Sequence, residues 1–262
     1  MTLIDLFIHD YARYNLLQQE RYKDKRRLQR YEYQIYSQHG EDGIINEIFK
    51  RIGTKNKTFV EFGCQDGMTN NTTALLLEDW SGTWFDESKE HIKTVNRTFS
   101  NEINRGKLTV RQAMLTRENI EQVFEDAGVL PKIDLLSIDV DGNDYWLWDA
   151  LRNYKARCVI IECNPLFRCL DWCIPYNPQF KCNLDSTYGA SLKALEHLGN
   201  KKDMILVGCD LSGCNAFFVE KQYAHMFCEP FTAENHYEGD RRYLNQQIGD
   251  KRSWCSNWKR GK

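Results

Sequence analysis

The chain has 262 residues, 42% of them hydrophobic, enough for the core of one large α/β domain or two small ones, and a single domain is the simpler expectation. Its formal charge of -2 excludes the global attraction to nucleic acid or anionic membrane that a surplus of Lys and Arg would give. Asp5, His9 and Asp10 interrupt the amino terminus where a secretory signal would be apolar, and no apolar run is long enough to span a bilayer, so a soluble, cytoplasmic protein is expected.

Residues 2–35 read as a helix, with Leu3, Leu6, Phe7, Tyr11, Tyr14 and Leu17 near helical spacing and no Gly or Pro to interrupt them. The basic run RYKDKRRLQR (21–30) is expected to be a solvated face of that helix. Residues 1–35 are therefore set apart as an N-terminal helical appendage, a candidate surface for homo-oligomer formation. From residue 36 apolar strand-like runs alternate with helical patterns, which predicts a mainly parallel sheet covered by helices on both faces. Strands are predicted at 58–63, 82–86, 108–114, 133–140, 158–163, 204–209 and 215–220. The last two are joined by residues 210–214 alone, too few for a parallel crossover, so they must form an antiparallel hairpin. A nicotinamide-binding domain has six parallel strands. Seven strands ending in a hairpin instead suggest the Rossmann-like α/β sheet of a class I methyltransferase. The domain is placed at 36–228, followed by a polar C-terminal extension at 229–262. The ten cysteines are expected to be buried small hydrophobes, and Cys163, Cys169, Cys173 and Cys182 lack the paired spacing of a zinc site.

In an open α/β sheet ligands bind beyond the carboxyl ends of the strands, beside the first strand where the order reverses. FVEFGCQDG (59–67) occupies that position. Gly63 and Gly67 allow a tight turn and a close approach of backbone to ligand, with Cys64, Gln65 and Asn71 as further cofactor-loop candidates. Glu61 and Asp66 beside a pyrophosphate would cost on the order of 1 to 4 kcal/mol in like-charge repulsion. A positively charged ligand is favoured, and S-adenosylmethionine carries a sulfonium and an ammonium group. On this reading Gly63→Val removes cofactor binding and leaves the sheet folded. Asp86 and Glu87, at the end of the second strand, stand where an acid accepts ribose hydroxyls, and either could serve. Residues 113–116, Met114 included, would flank an adenine.

The fourth strand ends SIDVDGNDYW and the fifth IIECNP, which gathers Asp139, Asp141, Asp144, Glu162 and Asn164 at neighbouring strand ends. Such acids can deprotonate or orient a hydroxyl, or hold Mg²⁺ through carboxylate oxygens. Asp139 and Asp141 are the catalytic candidates, with Asp139 also next to the cofactor. Asp139, Asp141, Glu162 and Asn164 are the candidate metal ligands. Asn143 and Asp144 could equally form a turn that caps the next helix. His39, in YSQHGEDG, is a second-rank catalytic candidate. The aromatic-rich stretch at 164–183 is expected to close over a substrate.

Together YSQHGEDGIINEIF, FVEFGCQDGMTNNTT, SIDVDGNDYW, VIIECNP, YGASLKAL, LVGC and NAFFV resemble, in order and spacing, the FkbM-type S-adenosylmethionine-dependent methyltransferases over residues 36–220. The resemblance implies a class I methyltransferase fold and methyl transfer to a hydroxyl, often on a sugar or secondary metabolite. It aligns Gln38, Glu41 and Asp42 with that family's amino-terminal motif and Glu61, Gly63 and Gly67 with its cofactor loop. Gln65 departs from the middle glycine of many methyltransferases and Asp66 adds a charge, so the methionine end is expected to be held differently. The expected acceptor is a sugar or nucleotide sugar, with no nucleic-acid or membrane partner. A noncatalytic binding module and a nicotinamide oxidoreductase are the alternative readings.

Overall fold

A computed structural model describes residues 3–181 and 187–244. Every predicted strand forms: β1 (Thr58–Phe62), β2 (Ser81–Asp86), β3 (Leu108–Gln112), β4 (Lys132–Ile138), β5 (Lys155–Glu162), β6 (Met204–Cys209) and β7 (Asn215–Glu220). They make one sheet in the order β3-β2-β1-β4-β5-β7-β6. β7 runs antiparallel to both of its neighbours and the other pairings are parallel. That order and polarity are those of the class I methyltransferase fold.

The strands read as nearly continuous apolar runs because both sheet faces are covered. Side chains alternate between two apolar layers: Val159, Ile161, Ala216 and Phe218 join one, and Cys158, Ile160, Phe217 and Val219 the other. The first layer also holds Phe124, Trp148 and Leu195 from α5 (Ile120–Asp126), α6 (Asp144–Ala150) and α7 (Leu192–Lys201). The second takes Ile45 and Phe49 from α2 (Glu41–Ile52) and Val95 from α3 (Lys89–Thr98). Capping is local where it is clear, since the hydroxyls of Ser88 and Ser191 accept from the amides of His91 and Ala194 at the starts of α3 and α7.

The N-terminal segment differs from the continuous helix predicted over 2–35. The first helix, α1 (Leu3–Leu17), stops at Leu17, and only short 3₁₀ turns follow at Glu20–Tyr22 and Gln29–Tyr31. The reason is tertiary, because Tyr22 and Leu28 are fully buried and must reach the body of the domain. The Tyr22 hydroxyl and the Arg21 and Arg241 guanidiniums all donate to buried Glu238, at 2.6, 3.0 and 2.8 Å. Arg27 is buried and bonds Asn235, Gln29 Nε2 donates to the Cys209 carbonyl at 2.8 Å, and the Leu211 amide donates to Glu32. The basic run is thus not a helix face: Lys23, Lys25, Arg26 and Arg30 are exposed as expected, while Arg21 and Arg27 join a polar seam with residues 235–241. On α1 itself Phe7, Tyr11 and Tyr14 are exposed. No helix of the described residues is long and apolar enough to cross a membrane.

Candidate functional site

Strand order reverses between β1 and β4, and there the predicted residues gather. Gly63 follows β1 with φ +70°, and a Cβ on it would lie 1.8 Å from the carbonyl oxygen of Asp139, just past β4. The close approach inferred from the sequence is therefore to the chain's own backbone. Gly67, at φ +81°, faces the Phe99 and Trp84 rings, which a Cβ would meet at 2.5 and 2.8 Å. The Gly63 and Cys64 amides both donate to the Phe85 carbonyl, so the turn is tied to the end of β2. The Cys64 side chain is buried in the apolar layer, which leaves only its backbone for a ligand.

Glu61 does not face outward as a counter-charge. Its carboxylate is buried and accepts from the amides of Asn71 and Thr72, the Thr72 hydroxyl and the Ser137 hydroxyl. The last contact follows from register, since Glu61 and Ser137 are partners across β1 and β4. Asn71 Nδ2 also donates to Ser137 Oγ at 3.1 Å. These bonds pin residues 70–73 under the turn, and burial raises Glu61 to about 7. Asp66 is half-buried and accepts the Met68 amide, the side-chain bond of a tight turn.

Asp86 is buried at the end of β2. It accepts the Gln65 amide at 2.7 Å and the Ser88 amide at 2.8 Å, and its Oδ1 lies 3.0 Å from His91 Nδ1. One of its roughly four lone-pair directions remains. Glu87 is exposed beside it, and Met114 is exposed past the end of β3. Both acids lie at the rim of the β1 turn, and Glu87 has the freer carboxylate.

The acids past β4 and β5 converge in part. Carboxylate oxygens of Asp139, Asp144 and Glu162 all lie within 4.8 Å of one another. Asp144 belongs to the cluster although the sequence left it balanced between site and cap. Its Oδ1 accepts the Val140 amide and its Oδ2 the Gly142 amide, so it shapes the turn and faces the other acids at once. Asp141 stands outside the cluster: it is exposed, at φ +58°. Asn164 is buried and also outside it. Its Nδ2 donates to the Tyr188 carbonyl and its Oδ1 accepts the Leu166 amide, which fixes the chain after β5. Glu162 Oε2 is buried with no hydrogen-bond partner among the described residues. Burial and the neighbouring negative charges push Asp139 and Glu162 well above the usual carboxylate range, and burial raises Asp144 to about 6.

The amino-terminal motif reaches the same end of the sheet through a residue the sequence did not rank. Glu41 Oε1 accepts from Asn215 Nδ2 at 2.7 Å, and Asn215 is the β7 partner of Glu162. The negative charge of Glu41 contributes to the upward shift of Asp139. His39 is buried, with its backbone amide donating to the Glu41 carboxylate at 2.6 Å, and Gln38 is half-buried before it. Asp42 folds the loop by accepting the amides of Ile35, Tyr36 and Ser37. Nothing in one sequence pairs Glu41 with Asn215, because their contact depends on β7 lying between β5 and β6.

Residues 172–181 lie over the acidic turn. Trp146 Nε1 donates to the Ile174 carbonyl at 2.8 Å and Asn143 Nδ2 to the Asn177 carbonyl at 2.7 Å. Gly142 backs against the Phe180 ring. Arg117 packs against both the Trp146 and Tyr176 rings, 4.8 and 5.2 Å from their centroids. Cys182, the last of the cysteines considered for zinc, is outside the described residues.

No protein-family model matches the chain, and no curated protein matches it. Among solved structures, it is similar to the N-terminal domain of EvdMO1 with SAH bound (10% identity, TM-score 0.46, 69% of this chain and 80% of that one). It is also similar to the magnesium protoporphyrin IX methyltransferase ChlM from Synechocystis PCC 6803 with bound SAM (10%, 0.48, 83% and 95%). A third is the methyltransferase domain of bacterial CtHen1 (14%, 0.44, 68% and 96%). At such values these likenesses say nothing of what this chain binds or acts on, and its fold is read from its own strand order and polarity.

Proposed function

We propose that the chain is an S-adenosylmethionine-dependent O-methyltransferase acting on a hydroxyl of a sugar, a nucleotide sugar or another small polar acceptor. The observation that carries this reading is the gathering of Asp86, Glu87, Asp139, Asp144 and Glu162 at the carboxyl ends of β2, β4 and β5, around the switch point of a sheet with only β7 reversed. A dinucleotide pyrophosphate is disfavoured there because these acids would repel it.

The cofactor, when bound, supplies a methyl group on a cationic sulfur. Residues 63–67 would hold its methionine end, Glu87 or the remaining acceptor site of Asp86 its ribose, and residues 113–116 its adenine. Glu61 acts at one remove, by fixing residues 70–73 beneath the turn. On the acceptor side, Asp139 is the group proposed to take the hydroxyl proton, and burial beside other acids makes its carboxylate more basic than an ordinary one. Glu162 and Asp144 orient the acceptor's other hydroxyls, and residues 172–181 limit the entry of water.

The same three carboxylates fit a hard divalent cation such as Mg²⁺. They offer oxygen donors within reach of one ion, and Glu162 Oε2 is an orphaned acceptor. A bound cation would lower the pKa of the acceptor hydroxyl. The candidate ligand set is then Asp139, Asp144 and Glu162, with Asp141 and Asn164 replaced by Asp144.

Calorimetry with S-adenosylhomocysteine, together with a scan of nucleotide sugars for methylation, tests the reading. Binding with turnover supports it, whereas binding without turnover on any acceptor points to a noncatalytic module and binding of a nicotinamide cofactor alone to an oxidoreductase. Asp139→Asn is expected to lower turnover about a hundredfold or more with cofactor affinity kept. Loss of activity in EDTA and its return with Mg²⁺ or Mn²⁺ supports the cation, and activity unchanged after thorough chelation excludes it.

A further inference from the structure

A cavity of about 720 Å³ opens at the end of the sheet opposite the acid cluster, where β5 and β6 begin and β7 ends. Its floor is apolar and buried, made by Trp148, Leu151, Val159 and Met204. Its rim is cationic, with Arg152, Lys155, Lys201, Lys202 and Lys221 against only two acids, Asp203 and Glu220. Glu220 is partly occupied, since it accepts from Gln222 Nε2 at 2.8 Å. The local charge is thus opposite in sign to the net charge of -2 for the whole chain.

Lys202 differs from the other four. It is half-buried, and its ammonium donates to the carbonyls of Leu151 at 2.8 Å and Asp149 at 3.3 Å, near the end of α6. No carboxylate among the described residues forms an ion pair with it, and an ammonium has three N–H donors. Burial holds its pKa below the ordinary lysine value. Asp149 and Glu121 place negative charge near it without an ion pair, and a half-buried ammonium in that setting is stabilised further by an anion that reaches it.

We propose that this cavity is a second binding site, for a small anion that carries a flat apolar body. The apolar part rests on the floor of Trp148, Leu151 and Met204, and the anionic group sits among Lys155, Lys201 and Lys202. The volume suits one such molecule, because small-ligand pockets run from about 300 to 1,000 Å³. Neither half of the ligand would bind as well alone: a bare anion makes no contact with the apolar floor, and a neutral ring brings no counter-charge to the lysines. The proposal does not depend on the methyltransferase reading.

The test uses 1-naphthyl phosphate as probe, with inorganic phosphate and 1-naphthol as its two halves, each titrated by calorimetry into the whole chain with saturating S-adenosylhomocysteine present. Saturable binding of one naphthyl phosphate per chain is expected, weakened by added salt. Inorganic phosphate should compete, and 1-naphthol should bind at least about tenfold more weakly. Lys202→Met should weaken the probe about tenfold or more. Because Lys202 also ties down the end of α6, the exposed Lys155→Ala and Lys201→Ala variants, whose side chains make no hydrogen bond or ion pair among the described residues, serve as a second measurement and should each weaken it severalfold. No saturable binding, equal affinity for 1-naphthol, unchanged affinity in all three variants, or dependence on S-adenosylhomocysteine being absent would each overturn the proposal.

Discussion

Gly63→Ala tests the geometry at the switch point. The added methyl would start 1.8 Å from the Asp139 carbonyl oxygen, where ordinary contact is about 3.5 Å, and the backbone there is left-handed at φ +70°. A Cβ in that conformation costs about 1 to 2 kcal/mol. Forcing a methyl into a filled space costs about 1 to 3 kcal/mol more, and here the neighbour is backbone that moves only if β1 and β4 separate. The expected loss is about 2 to 5 kcal/mol, a large part of the roughly 5 to 15 kcal/mol by which a domain is stable. Gly106→Ala is the internal control, because Gly106 has the same φ of +70° but a Cβ there meets nothing within 4 Å. Urea unfolding of both variants, followed by far-UV circular dichroism, separates the steric contribution from the conformational one. S-adenosylhomocysteine affinity should fall in Gly63→Ala, since the turn at residues 63–67, proposed to hold its methionine end, must move. Equal midpoints for the two variants would refute the reasoning. Gly63→Val, expected from sequence to spare the sheet, should instead destabilise it further, because its branched side chain adds to the same collision.

Asp86→Asn removes charge from bonds to the Gln65 and Ser88 amides and from the contact with His91, and should cost about 1 to 3 kcal/mol of stability by urea unfolding. Glu87→Gln should leave stability unchanged, and if it alone weakens S-adenosylhomocysteine, Glu87 is the ribose acid. Stability should fall as pH rises: burial raises Glu61, Asp144 and Asp210, the last fully buried just after β6, to about 7, 6 and 8 from ordinary values of 4.5, 3.8 and 3.8. Each holds its proton more tightly when folded, so its contribution is complete below about pH 4 and lost through about pH 6 to 8. The urea midpoint should accordingly be lower at about pH 8.5 than at about pH 5.5, and a rise over that interval would contradict the burial of these acids. Trp146→Phe loses the bond to the Ile174 carbonyl, and amide exchange in residues 172–181 should quicken while that in β1 does not.

The sequence by itself determined the strands and their polarity. Each strand is an apolar run of the right length, and five residues between β6 and β7 leave no geometry but a hairpin. It also placed Glu61, Asp86, Asp139 and Glu162 at carboxyl ends of strands, because a strand's end is marked by where its apolar run stops. What those acids do was decided only by the tertiary structure. Glu61 is consumed by residues 71 and 72, Asn164 by Tyr188 and Leu166, and Asp144 is drawn into the cluster from a turn that could have been a simple cap. Glu41 meets Asn215 because β7 lies between β5 and β6, a neighbourhood that spans 174 positions of sequence and has no local signature. α1 stops at Leu17 for the same kind of reason. Local spacing favoured more helix, but burying Tyr22 against Glu238, far along the chain, outweighs helix propensity of at most a few tenths of a kcal/mol per residue. Apolar period and loop length are local quantities and can be read along the chain, whereas the partners of a buried carboxylate are set by which distant segments the sheet order brings beside it.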